Sequence, residues 1–244
     1  GGRARGMDRL THLSGVSDFQ GFVLALPNGV DKQWNDGRGI EKYTAHRESV
    51  DDVGFIASLI EEAARRAPID RSRVYVTGMS NGGLMAHRLA CEIPEKIVAI
   101  AAVEGLISQL TAKACPGKIA VPMLLIKGSD APTFEKTSVR LSALETAKFW
   151  ARINGCQPAP GESWLPDQAP DDGTKTRRVE FRGCAGGADV VWLDVQGGGH
   201  TWPGGYQYLP EFTVGRTSRD FGASETIWEF FKSRSRQGRP RAAP

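Results

Sequence analysis

Residues 73–83 read Arg-Val-Tyr-Val-Thr-Gly-Met-Ser-Asn-Gly-Gly: a short β-branched run that breaks into a glycine-rich turn with a serine at its centre. The run has the composition of a buried strand, and the stretch from the turn to about Ile93 has the spacing of a helix. A strand that turns this sharply into a helix holds Ser80 in a strained conformation with its hydroxyl presented. The glycines at 78 and 82 let neighbouring backbone approach without a Cβ. The helix aims its first amides at the same point, so Asn81 is a candidate to hold an oxyanion through its backbone N–H. A rival reading is a dinucleotide turn of the Thr-Gly-x-x-x-Gly-x-Gly type beginning at Thr77. Against it, Leu84 occupies the place of the third glycine, and the turn lies well into the chain.

Outward from this turn, strands and helices alternate. Residues 21–27 (Gly-Phe-Val-Leu-Ala-Leu-Pro) read as a buried strand closed by Pro-Asn-Gly. From Ser49, with Asp51 and Asp52 in the first turn, apolar residues recur at Val53, Ile56, Ile60 and Ala64, which predicts an amphipathic helix ended before Pro68. Strands are expected over 97–103, 121–126, 176–181 and 190–195. Helices are expected over 135–154 and 224–232, with a Pro, Asp and Gly-rich loop over 157–175. This order predicts an α/β chain built on a mainly parallel sheet covered by helices on both faces. With 244 residues, no internal repeat and no strong linker, it reads as one domain over residues 1–234 and a basic, solvated tail over 235–244.

The net charge of +3 is set by the C-terminal run: Lys232, Arg234, Arg236, Arg239 and Arg241 carry five charges with no acid among them, so the remainder is mildly acidic. A nucleic-acid partner is therefore not expected. Neither is a membrane, because no apolar run reaches about 18 residues. The four cysteines form no Cys-x-x-Cys pair and none sits beside a histidine at ligand spacing, so no metal site is expected. Their even number invites pairing within two stretches, Cys91 with Cys115 and Cys156 with Cys184. Three connectivities are open, and disulfides would place the protein in an oxidising compartment.

A serine nucleophile needs a base, and the chain has four histidines. His12 and His46 lie in polar segments, and His87 lies about two turns along the helix from Ser80. His200 follows a predicted strand and the run Gly197-Gly198-Gly199, which suits a base delivered by a late loop over the sheet edge. The orienting acid should fall between Ser80 and His200 in chain order. Asp130, just after the strand over 121–126, is the candidate, with Glu135 and Asp194 as rivals. Trp202, Tyr206 and Tyr208 follow His200 closely. These aromatics are candidate walls of a substrate pocket, Trp202 and Tyr206 foremost, with simple packing of the loop as the alternative for Trp202.

Four motifs occur together and in order: Trp-Asn-Asp-Gly-Arg at 34–38, Asp-Asp-Val-Gly-Phe at 51–55, Gly-Met-Ser-Asn-Gly-Gly at 78–83 and Gly-His-Thr-Trp-Pro-Gly-Gly at 199–205. The set resembles the secreted esterases of the polyhydroxybutyrate depolymerase and feruloyl esterase group, over nearly the whole chain. The resemblance implies an α/β-hydrolase fold and a triad of Ser80, Asp130 and His200. It also supports the two disulfides as paired, a secreted or periplasmic location, and no cofactor. Trp34 and Arg38 read as scaffold, an Arg and an Asp of one short loop bracing each other. Two departures stand out. Lys127-Gly128-Ser129-Asp130-Ala131-Pro132 replaces the family's His-Gly-Thr-x-Asp and is one residue shorter. Gly1-Gly2 looks like the end of a His-Gly-Gly-Gly-type loop, so the first strands of the family and its second oxyanion donor are expected to be missing.

The residues thus predict a serine carboxylesterase acting on small or polymeric esters: hydroxyalkanoate oligomers, feruloyl or acetyl esters, or short acyl chains. The rival from another class is a binding module for polyester or polysaccharide on a hydrolase scaffold whose shortened acid loop has cost it catalysis.

Overall fold

The computed structural model describes residues 2–132 and 139–236. Two helices, α1 (Ala4–Thr11) and α2 (Leu13–Gln20), open it, and the short α3 (Thr44–Arg47) and α4 (Asp52–Arg66) precede the first strand. Then follow β1 (Tyr75–Met79), α5 (Asn81–Glu92), β2 (Ala99–Val103), α6 (Gln109–Ala114), β3 (Met123–Gly128) and α7 (Ala143–Ile153). The strands β4 (Gly161–Trp164), β5 (Lys175–Phe181) and β6 (Val190–Gln196) come next, and α8 (Glu211–Val214) and α9 (Ala223–Lys232) close the described chain.

The six strands form one sheet in the order β1-β2-β3-β6-β5-β4. The first four are parallel, and β5 and β4 are antiparallel additions. Strands buried on both faces read as continuous apolar runs, and β2 (Ala-Ile-Ala-Ala-Val) shows why. Alternate side chains serve opposite cores: Ile100 and Ala102 pack with Met85, Leu89 and Trp150 of α5 and α7. Ala99, Ala101 and Val103 pack instead with Leu10, Leu13, Ile227 and Phe231 of α1, α2 and α9. The acids expected at the start of α4 include its cap, since Asp51 accepts from the Gly54 N–H at 2.8 Å.

Several elements differ from expectation. Residues 21–27 form no strand and pair with none among the described residues: Val23 is 65% exposed, and Phe22 stacks on Trp228 of α9 at 4.2 Å. An apolar run becomes a strand only where a backbone partner lies alongside, and here packing on a helix takes its place. The helix expected over 135–154 begins at Ala143, where Ser142 and Glu145 form a capping box; residues 133–138, including Glu135, lie outside the described residues. The loop over 157–175 contains β4, whose four residues are all exposed and so carried no apolar signal. Helices α1, α2 and α6 were not anticipated. At the other end, Arg234 lies 3.6 Å over the Phe230 ring, and Arg236 donates to the carbonyls of Ile97 and Pro94. The first residues of the basic tail therefore fold back on the body, and 237–244 lie outside the described residues.

Both disulfides have the expected partners, Cys91–Cys115 and Cys156–Cys184. The first ties the end of α5 to the residue after α6; the second ties the exit of α7 to the turn between β5 and β6.

Candidate active site

Register aligns Met79 with Val103, Val103 with Ile126, and Ile126 with Leu193, so β1, β2, β3 and β6 finish along one edge of the sheet. Ser80, Glu104, Asp130 and the glycine run before His200 leave the sheet there, the edge where open parallel sheets place their ligands. Ser80 has φ 55° and ψ −118°, a strained conformation for a residue with a side chain, and its N–H bonds the Val103 carbonyl at 2.8 Å. The two flanking glycines are not equivalent. A Cβ on Gly78 would lie 2.5 Å from the Gly82 carbonyl carbon, whereas a Cβ on Gly82 would meet nothing. The first glycine is the one the turn requires.

Asn81 starts α5, and its buried side chain faces away from the turn. Its amide oxygen accepts from the Trp34 N–H at 2.7 Å, and its nitrogen donates to the Trp34 carbonyl and to Asp36. Asp36 is fully buried, pairs with Arg38 at 2.6 Å and lies 3.5 Å from His46 Nε2. Asn35 donates its N–H to Asp52 at 2.6 Å. The Trp-Asn-Asp-Gly-Arg motif is thus a brace under the start of α5, the scaffold role expected for Trp34 and Arg38.

The remaining histidines fall into place around this frame. His46 belongs to the brace. His87 is fully buried, and its Nδ1 accepts from the Trp150 indole N–H at 3.0 Å, which leaves Nε2 to donate to the Gly105 carbonyl at 3.1 Å. Burial pulls its pKa down to about 4. His12 is an exposed link between α1 and α2.

His200 stands on a loop laced to the end of β3. The Asp130 N–H donates to the Gly198 carbonyl at 2.9 Å, and the Gly197 N–H to Ser129 Oγ at 2.9 Å. The imidazole is half-buried. Burial pushes its pKa down to about 4, with the cations Lys127 and Arg140 adding to the effect, so the ring is neutral at pH 7. Its Nδ1 lies 3.1 Å from Tyr208 Oη, and the same hydroxyl donates to the His200 carbonyl at 2.8 Å. The Asp130 carboxylate is exposed and accepts from Ser129 Oγ at 2.7 Å. Asp194, the rival acid, is paired with Arg177 at 3.0 Å within the sheet.

One group at this edge was missed from sequence. Glu104 follows β2 with φ 54° and is only 3% exposed. It accepts from the Gly128 N–H at 2.5 Å and pairs with Lys127 at 2.9 Å. Burial nevertheless raises its pKa to about 7. The signal was available, an acid set between an all-apolar strand and Gly105. A cavity of about 300 Å³ opens beside His200, lined by Glu104, Leu106, Lys127, Arg140 and Leu141.

The aromatic residues after His200 do not act together. Trp202 is 1% exposed, packs in the core with Leu10 and Ile227, and donates its indole N–H to Ser224 at 3.1 Å. A side chain so enclosed cannot wall a pocket, which corrects the expectation for Trp202 in favour of packing. Tyr206 is 42% exposed, with the Arg9 guanidinium 5.6 Å from its ring centre. Among the described residues, no group of three or more His, Cys, Asp or Glu is placed to hold a metal ion, and no helix is long and apolar enough to cross a membrane.

A mostly parallel sheet, with a strained serine at a strand-to-helix turn and a histidine on a late loop at the same edge, is the α/β-hydrolase architecture. Acetyl xylan esterase from Aspergillus awamori superposes with a TM-score of 0.64 over 95% of this chain and 85% of that one, at 16% identity, a likeness of fold. The protein named "Putative esterase NocK" from Nocardia uniformis subsp. tsuyamanensis is 32% identical over 94% of this chain and 71% of its own length. Feruloyl esterase D of Neurospora crassa is 29% identical over 86% of this chain, which spans 61% of that enzyme. No protein-family model matches. The chain belongs to the feruloyl esterase-like family of carboxylic ester hydrolases.

Proposed function

We propose that this protein hydrolyses carboxylic esters through an acyl-enzyme formed on Ser80, with His200 as the base. The observation that carries the reading is the backbone of Ser80, a strained positive-φ serine at the mouth of α5. Ser80 Oγ attacks the ester carbonyl as His200 takes its proton, and the alcohol leaves with that proton. Water, activated by the same imidazole, then releases the acid. The Asn81 N–H, in the first turn of α5 where no helical acceptor exists, is the donor for the oxyanion. Asp130 completes the triad carried by the family resemblance, as a negative charge on the loop laced to that of His200.

Acetyl and feruloyl esters are the substrates the relatives' names favour. Hydroxyalkanoate oligomers rest on the sequence motifs alone. The two disulfides suit an oxidising compartment, and a secreted or periplasmic location is proposed on that ground.

The test is hydrolysis of p-nitrophenyl acetate, p-nitrophenyl butyrate and methyl ferulate by wild type beside Ser80→Ala, with a fluorophosphonate probe read by intact mass. Turnover and a single adduct, both lost in the variant, support the proposal. A folded wild type showing neither would refute it and leave the binding-module reading.

A further inference from the structure

We infer that Glu104 is a positioning residue of this site: through the Gly128 N–H it fixes the end of β3, against which the His200 loop rests. The inference rests on His200 being the base of the proposed reaction.

A glutamate at the end of a strand as apolar as β2 is costly twice over. It is 3% exposed, and its φ of 54° belongs to a region that residues with a Cβ rarely occupy. What the fold gains is an acceptor. The Glu104 N–H donates to the Ile126 carbonyl at 2.9 Å, so the Ile126 peptide faces β2. Alternate residues of a strand face the same neighbour, which turns the Gly128 N–H toward β2 as well. The chain leaves β2 at Glu104, and its carboxylate supplies the acceptor, 2.5 Å from the Gly128 nitrogen, that the next strand carbonyl would have been. Lys127 completes the grip. Its ammonium pairs with the other carboxylate oxygen at 2.9 Å and donates to the Gly128 carbonyl at 2.6 Å. Gly128 is thus held by its N–H and its C=O together.

The same glycine is where the histidine loop meets β3. Its φ is not positive, yet a Cβ there would run into the carbonyls of Gly198 and Gly199. The missing side chain is what lets the loop lie so close. Two further bonds fasten the loop alongside: the Asp130 N–H to the Gly198 carbonyl and the Gly197 N–H to Ser129 Oγ, both at 2.9 Å. Contacts therefore run unbroken from Glu104 through Gly128 to the residues that carry His200. A tilt of the Gly128 peptide moves the imidazole relative to Ser80, and a misplacement of about 1 Å can cost about 10²-fold in rate. The role needs reach rather than charge. Burial raises the pKa of Glu104 to about 7, and the protonated acid still offers Gly128 a carbonyl oxygen.

The test sets Glu104→Gln, which keeps the reach and loses the charge, beside Glu104→Asp, which keeps the charge and is one methylene short. Both are assayed for kcat and KM on p-nitrophenyl acetate. The chain holds one Lys-Gly pair, Lys127-Gly128, so carbonyl-¹³C lysine with ¹⁵N glycine reports the Gly128 amide as a single HNCO peak. The conservative Glu104→Gln should keep kcat within about threefold of wild type. In Glu104→Asp it should fall about 10–100-fold, with KM within about twofold. The Gly128 amide proton should hold its position in the first variant and move upfield in the second. The reverse order of kcat would make Glu104 an electrostatic group, and an unchanged kcat in Glu104→Asp would make it merely structural; either overturns the inference. So does a Gly128 amide that stays in place in Glu104→Asp. A kcat loss of about tenfold or more in Glu104→Gln overturns it even if Glu104→Asp fails to fold. Failure of the esterase reading is told apart because it appears as turnover surviving in Ser80→Ala, while the Gly128 amide is read without turnover.

Discussion

Two clusters flank the Ser80 turn and use nearly the same side chains to opposite ends. Beneath it, Asp36, Arg38, His46 and Asn81 form a brace in which the buried carboxylate has three partners: a guanidinium, an amide and an imidazole. At the rim, Glu104, Lys127, Tyr208 and His200 are also partly or wholly buried, yet the acid, the phenol and the imidazole all have strongly displaced pKa values. The difference lies in how fully each charge is met. Asp36 has compensation on several sides and acts as an anchor. Glu104 has the Lys127 ammonium and the Gly128 amide in contact, with Arg140 acting from further off, against nearly complete burial, and so sits near its titration point at neutral pH. Scaffold and chemistry can be told apart here by the degree of compensation rather than by residue type.

The largest effects should separate the two clusters by readout. Ser80→Ala should lower kcat by about 10⁴-fold or more while leaving Tm within a degree or two. Turnover within tenfold of wild type would place the chemistry elsewhere. Asp36→Ala should do the reverse. It removes the carboxylate that pairs with a buried Arg38, a loss of about 3–5 kcal/mol, or roughly 6–20 °C in Tm at about 2–4 °C per kcal/mol. The protein that remains folded should keep the wild-type acid limb of its pH–rate profile. An unchanged Tm would show that Asp36 is no anchor and would erase the contrast.

Legibility in the sequence followed the same division. The alternation of strand and helix, the Ser80 turn and the late histidine were readable because each is a local pattern: a β-branched run into glycines, or a glycine run into His200. The brace was half readable, since Asp36 and Arg38 are neighbours in sequence, whereas Asn81 and His46 join them only through the fold. Glu104 was not assigned because its place comes from burial and from contacts across strands, and Tyr208 was read only as one of three aromatics after His200 because its contact with that residue depends on how the loop folds back. The strand expected over 21–27 failed for a related reason: composition reports that a segment suits a sheet, but not whether a partner lies alongside. Strand β4 failed in the opposite sense, four exposed edge residues leaving no apolar period to read.

Titration offers a finer test. If His200 is the base with its pKa near 4, kcat/KM should hold down to about pH 5 and reach half its plateau near pH 4, because activity needs the neutral ring. A midpoint near 6.5 would mean that His200 is not held in this surrounding. The same shifts bear on stability. His87 and His200 are lowered, so between about pH 4 and 6.5 the unfolded chain binds more protons than the folded one, and their contribution grows as pH rises through that range. Glu104 is raised, so between about 4.5 and 7 the folded chain holds the extra proton, and its contribution shrinks as pH rises. Chemical unfolding followed across this range should show stability rising toward pH 6.5 in the wild type, and rising more steeply in Glu104→Gln, where the opposing group is gone. Equal slopes in the two proteins would mean that Glu104 titrates normally and that the rim is as well compensated as the brace.

The smallest effects belong to the two aromatics that follow His200, which divide as the clusters do. Trp202→Phe removes the indole N–H bond to Ser224 from an enclosed site, about 1 kcal/mol or some 2–4 °C in Tm, and should leave KM untouched. Tyr206→Ala removes a ring that is 42% exposed, so Tm should stay within about a degree. If its ring forms part of an acyl or phenolic wall, KM for methyl ferulate should rise about threefold while KM for p-nitrophenyl acetate stays level, because only the larger acyl group reaches that far. Equal KM changes for the two esters, or none, would remove Tyr206 from substrate binding and leave it as a surface partner of Arg9.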